Sequence, residues 1–118
     1  MTKKIFLWTL VIVYALLIFL VSSIEGNELD TGPPGLDKFL HLIEYLILSF
    51  LLYSSFRASS NQIKNNAIFW LSFSISALYG ISDEIHQLFV ANRFFEITDI
   101  LFDTFGSLIG AFWSYKRL

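Results

Sequence analysis

Apolar residues fill positions 5–24, where only Thr9, Tyr14, Ser22 and Ser23 interrupt them. At about 1.5 Å of rise per residue, a helix of that length spans about 30 Å, the thickness of the hydrocarbon core of a bilayer. Three further apolar runs follow at 37–56, 67–90 and 97–115. The separator at 25–36 contains Gly26, Gly32, Pro33, Pro34 and Gly35 and reads as a loop. Residues 57–66 form a second, polar loop, and 91–96 a short connection. The pattern predicts an all-α membrane protein, a single-domain bundle of four transmembrane helices. Lys3 and Lys4 precede the first run as they would in a signal peptide. A signal sequence has an apolar region of only about 7–15 residues, so the first run is expected to stay as an anchor.

Basic residues set the expected orientation. With the N-terminus inside, Lys3, Lys4, Arg57, Lys64, Lys116 and Arg117 fall on the cytoplasmic side, and only Lys38 and Arg93 on the other. That asymmetry satisfies the positive-inside rule and places both termini in the cytoplasm. Trp8, Trp70, Trp113 and Tyr115 sit at the same ends, where amphipathic rings favour the interface.

Composition agrees with the pattern. Of 118 residues, 55% are hydrophobic and 15% charged, with mean hydropathy +0.62. A soluble domain carries about 25% charged residues, and a chain this short cannot bury so much apolar surface in its own core. The absence of cysteine excludes disulfides, thiolate metal sites and a cysteine nucleophile. A net charge of −2 excludes a strongly basic nucleic-acid surface.

The remaining charge gathers at the opposite helix ends. Asp37, Lys38, His41, Glu44 and Tyr45 open the second run, Asp83, Glu84, His86 and Gln87 close the third, and Arg93 lies in the connection. Asp99 and Asp103 occupy the first two turns of the fourth. Because successive helices reverse direction, these groups meet near the outer face. Intervals of three and four place Asp37, His41, Glu44 and Tyr45 on one stripe, and likewise Asp83 with His86 and Gln87, and Asp99, Asp103, Gly106 and Gly110. Ionisable groups facing lipid cost several kcal/mol, so a shared polar pocket is expected. Six carboxylates (Asp37, Glu44, Asp83, Glu84, Asp99, Asp103) stand there against Lys38 and Arg93.

The segment from Asp37 to His41 with Tyr45, then Asp83-Glu84-Ile85-His86-Gln87, Arg93, Asp99 and Gly106 to Gly110, resembles the VanZ-like family of bacterial membrane proteins. The resemblance covers 37–110. It implies a multi-pass protein of the bacterial cytoplasmic (inner) membrane with a role at the cell envelope, in a family named after a protein associated with resistance to the glycopeptide teicoplanin. The chain carries Asp103 where the family usually has Asn, and here that acid is expected to be protonated or to pair with Lys38 or Arg93 rather than to help hold a cation.

Two function classes follow. The favoured one is binding: the polar pocket recognises a lipid headgroup, an envelope lipid precursor or an amphiphilic antibiotic. The other is an intramembrane hydrolase or transferase acting on a lipid-linked substrate, with acid–base work by Asp83 and Glu84 together with Asp37 or Asp99. No Ser–His pairing or nucleophile elbow supports it. His41 and His86 are candidate metal ligands, but without HExxH-type spacing the expectation is that each is bonded to an acid and that no metal or cofactor is held. Gly106 and Gly110 form a small-xxx-small pattern that predicts close helix packing. Ser72, Ser74 and Ser76 are expected to make local backbone bonds or to pack.

Overall fold

A computed structural model describes residues 2–24 and 35–117. The chain forms four α-helices, α1 (Lys3–Ser22), α2 (Leu36–Ser59), α3 (Asn65–Gln87) and α4 (Ile97–Arg117), with no strand among the described residues. Most of the loop predicted at 25–36 lies outside the described residues.

Local chemistry sets the helix ends. Thr2 caps α1 by accepting from the Ile5 amide at 3.2 Å. Gly35 precedes α2 at φ 86°, a left-handed conformation that favours glycine. At the other end of α2, Arg57 donates to the carbonyls of Ser60 (3.1 Å) and Ile63 (2.8 Å) and to Asn65 Oδ1 (2.6 Å), which ties the turn to α3. The third apolar run reaches residue 90, yet α3 stops at Gln87. Beyond it the amides of Leu88, Phe89 and Val90 bond three residues back, at 3.0–3.2 Å, and Asn92 adopts φ 60°. Asparagine tolerates that conformation, so the chain turns there although its apolar pattern continues.

The helices lie side by side and alternate in direction, with α2 touching the other three. At one end the indole of Trp8 donates to Ser59 Oγ (2.7 Å), and the rings of Phe69 and Tyr115 meet at 5.9 Å. Midway, Tyr14 donates to the Glu44 carbonyl (2.9 Å) and Tyr79 to that of Ala15 (2.6 Å), holding α1 to α2 and α3. The apolar core (Val11, Ile18, Tyr45, Leu48, Leu52) fills the space between α1 and α2.

The seam between α2 and α4 is tight. A Cβ at Gly106 would run into the Leu42 carbonyl, and one at Gly110 into the Leu46 carbonyl and Ser49 Oγ. Small residues four apart on α4 thus meet carbonyls four apart on α2, the backbone approach such spacing permits. Across the α3–α4 seam, Ser76 Oγ and Ser107 Oγ lie 2.6 Å apart, and Ser76 also lies 3.3 Å from the Tyr45 carbonyl on α2. Ser72 bonds locally to the Ile68 carbonyl, while Ser74 is exposed. Ser76 therefore links three helices, a role beyond the local one expected of it.

Burial is inverted relative to a soluble domain. Among the described residues the buried set holds eight apolar and twelve polar or charged side chains. The exterior is lined with Ile, Leu, Phe and Trp. Two helices, α1 and α2, are long and apolar enough to cross a membrane. The average hydropathy of α3 and α4 is lowered by Ser72, Ser76, Asp83, Glu84, Asp99, Asp103 and Ser107, all of which face inward.

Candidate functional site

The charged end of the bundle is organised around two side chains of α2. Lys38 sits where α2 meets the start of α4. Its ammonium contacts the carboxylates of Glu96 and Asp99 and lies 3.6 Å from Asp37 Oδ2. Asp37 and Glu96 are partly open to the exterior, whereas Asp99 is 5% exposed. An apolar residue at the Lys38 position would leave the buried charge of Asp99 with only the more distant His41 Nε2, at 3.9 Å, to offset it.

His41 lies on the same face, one turn deeper. Its Nδ1 is 2.8 Å from Asp103 Oδ1 and its Nε2 is 3.9 Å from Asp99 Oδ2. Both ring nitrogens therefore face carboxylates of α4, and no hydroxyl among the described residues bonds the ring. Asp103 is fully buried against α3 where Gly80 leaves room: a Cβ there would come within 2.8 Å of the Asp103 Cβ and 3.0 Å of Oδ2. One turn further along α3, Glu84 is also fully buried, and its Oε2 accepts the Glu96 amide at 3.1 Å. That bond ties the end of α3 to the entry of α4.

Some buried polar atoms here find no partner among the described residues: Glu84 Oε1, Asp103 Oδ2 and the hydroxyl of Tyr45. Two sets of three side chains place donor atoms within 4.8 Å of one another, Asp37–His41–Asp99 and His41–Glu84–Asp103, and both use His41.

Direct contacts thus join Asp37, Lys38, His41, Asp99 and Asp103, and the second donor set adds Glu84. Asp83 is buried on the same stripe of α3 as Gly80 and Gln87. Glu44 is partly buried a turn below His41. Other residues of the expected pocket turn to α1 instead. His86 Nε2 lies 2.8 Å from Ser23 Oγ, and the ring stacks on Phe19 at 4.5 Å. Gln87 Nε2 donates to Ser22 Oγ at 3.4 Å, and Arg93 donates to the Ile24 carbonyl at 3.0 Å.

His41 meets an acid as expected, whereas the expected pairing of Asp103 with Lys38 or Arg93 and of His86 with an acid is not what the helices make. Asp103 pairs with His41, because Lys38 is held by three other carboxylates and Arg93 reaches across to α1. His86 bonds a serine rather than an acid. Glu96, absent from the pocket expected from sequence, completes the group around Lys38. Its spacing three residues before Asp99 was the available signal, since that interval places two acids on one edge of a helix start.

Among the described residues, clefts of appreciable size line regions away from this cluster. One of about 550 Å³ is lined by Lys3, Leu7, Phe50, Ser54, Arg57, Ala58 and Asn61, at the opposite end of the helices.

A family model described as VanZ/LLP1 matches residues 4–117, from the start of α1 to the end of α4. No curated protein and no solved structure matches the chain.

Proposed function

The chain belongs to the VanZ/LLP1 family, and from that premise we propose that it spans the bacterial cytoplasmic membrane four times, with both termini inside, and that its outward polar end binds the headgroup of a membrane amphiphile. Support for four spans comes from the inward placement of the polar residues of α3 and α4. Their outer faces, including Leu71, Ile75, Leu78 and Ile81 on α3 and Leu101, Phe105, Leu108 and Phe112 on α4, are exposed and apolar. Such faces suit lipid, and the buried acids and serines bond within the protein. Basic residues at the ends of α2 and α4 and the starts of α1 and α3 support the orientation.

One observation carries the binding reading. Three carboxylates surround Lys38 at the helix end, two of them accessible, and exposed apolar side chains flank them: Leu36, Phe39 and Leu40 on α2, and Phe94, Phe95 and Ile97 leading into α4. A polar site beside an apolar collar fits a molecule with a headgroup and an acyl chain. The excess of acid favours a headgroup offering ammonium or N–H and O–H donors. Candidates are a phospholipid, an envelope lipid precursor or a lipoglycopeptide of the teicoplanin type. Binding is favoured over hydrolysis because both nitrogens of His41 face carboxylates and Ser23, the serine beside His86, donates its proton to the Phe19 carbonyl at 2.9 Å, which leaves no activated nucleophile among the described residues.

Native mass spectrometry of the full chain, released from mild detergent, tests this. The parent should retain a bound amphiphile, and a double variant Asp37→Asn, Glu96→Gln should lose most of it while keeping its thermal transition. Equal retention by the folded double variant would refute the site, and no retained amphiphile in the parent would refute the binding reading.

A further inference from the structure

We propose that His41, Glu84 and Asp103 form a site for one divalent transition-metal cation, deep in the seam where α2, α3 and α4 meet. The three residues come from three different helices and place donor atoms within 4.8 Å of one another. Three donors about 2.0–2.2 Å from one metal lie roughly 3.3–3.8 Å apart, so side-chain movements of up to about an ångström complete the set. His41 and Asp103 already stand 2.8 Å apart.

The second observation is independent of the clustering. Glu84 and Asp103 are fully buried, and each keeps one carboxylate oxygen, Oε1 and Oδ2, without a hydrogen-bond partner. Buried carboxylate oxygens are costly to leave unpaired, and two acids that each keep such an oxygen, grouped with one imidazole, point to a missing positive partner. Among the described residues no lysine or arginine supplies it, since Lys38 is engaged by Asp37, Glu96 and Asp99 and Arg93 by the end of α1, and His41 meets Asp103 through Oδ1 rather than the unpartnered Oδ2. A cation resolves both orphans at once.

The same reasoning separates the two sets that share His41. The outer set, Asp37–His41–Asp99, has its acids opposite the Lys38 ammonium, so a dication there would compete with a lysine. The inner set has no such competitor. One imidazole with two carboxylates and no thiolate favours zinc or manganese over magnesium or calcium, which prefer all-oxygen sets. The inference goes beyond the headgroup reading and does not depend on it, since it concerns the buried face of the cluster rather than its accessible rim.

The test uses the detergent-purified full chain, treated with chelator and titrated with zinc and manganese by calorimetry. Cobalt serves as a spectroscopic probe of imidazole and carboxylate ligation. One equivalent should bind saturably and raise the thermal transition. Glu84→Gln and Asp103→Asn keep the side-chain shapes, and each should weaken binding by at least about 10–100-fold, the loss seen even when a supporting group is removed. Absence of stoichiometric binding by the parent would overturn the proposal, whatever the behaviour of the variants. So would loss of binding in Asp37→Asn with parental binding in Glu84→Gln, which would move the ion to the outer set. Amphiphile retention is not read in this experiment, so either reading can fail alone.

Discussion

Replacing Gly106 by alanine changes one methyl group, and two opposing effects decide its sign. In a helix interior alanine is favoured over glycine by about 0.5–1 kcal/mol, because glycine loses more backbone freedom on folding. The added Cβ would meet the α2 backbone at Leu42: it overlaps the carbonyl oxygen and lies 2.9 Å from the carbonyl carbon and 3.1 Å from Cα. Carbon atoms sit comfortably at about 3.5–4.0 Å, so α4 must retreat by about half an ångström or more, and no rotamer change can relieve a backbone clash. Overpacking of this kind costs about 1–3 kcal/mol. Retreat would also stretch the His41–Asp103 contact across the same seam. The expected net result is a loss of about 1–2 kcal/mol, seen as a lower thermal transition in detergent. Tryptophan fluorescence suits the measurement, because Trp113 on α4 lies 5.5 Å from Phe50 on α2 and reports on this interface. Gly110→Ala should act in the same direction, partly relieved by Ser49→Ala, since one of the atoms it meets is the Ser49 hydroxyl. Leu108→Ala, on the exposed face, serves as control. A Gly106→Ala protein that melts at or above the parental temperature would refute the close α2–α4 approach, because helix propensity alone would then have set the sign.

Two further predictions concern orientation and the rim. The natural sequence has no cysteine, so single cysteines at Asn61 and at Asn92, both exposed, should react with impermeant maleimide from opposite sides of intact membrane, with Asn92 outside; labelling of both from outside contradicts the four-span topology. Lys38→Met should destabilise far more than Glu96→Gln, by up to about 3–5 kcal/mol, because it strands the buried Asp99 whereas Glu96 is partly open to the exterior; comparable melting of the two variants would show that Asp99 does not depend on Lys38.

Along-chain information carried much of the architecture. Four apolar runs separated by polar or Gly/Pro-rich stretches correspond to four helices, because backbone bonding and apolar periodicity are local properties. The three-and-four spacing of Asp37 with His41, and of Asp99 with Asp103, marks one face of each helix, since 3.6 residues make a turn regardless of what lies alongside. What the spacing does not contain is the rotation of one helix about its axis relative to the next, nor the distance between axes. Those were decided in three dimensions, where Gly106 and Gly110 let α4 settle onto the carbonyls of Leu42 and Leu46. That seating turns Asp103 toward His41 instead of Lys38, and Gly80 gives its side chain room. The end of α1 matters equally: by offering Ser22, Ser23 and the Ile24 carbonyl it draws Gln87, His86 and Arg93 away from the acids. Sequence alone therefore determined which residues are polar and at what depth they lie, while the choice of partner for each depended on interhelical distances of a few ångströms that only the packed helices define.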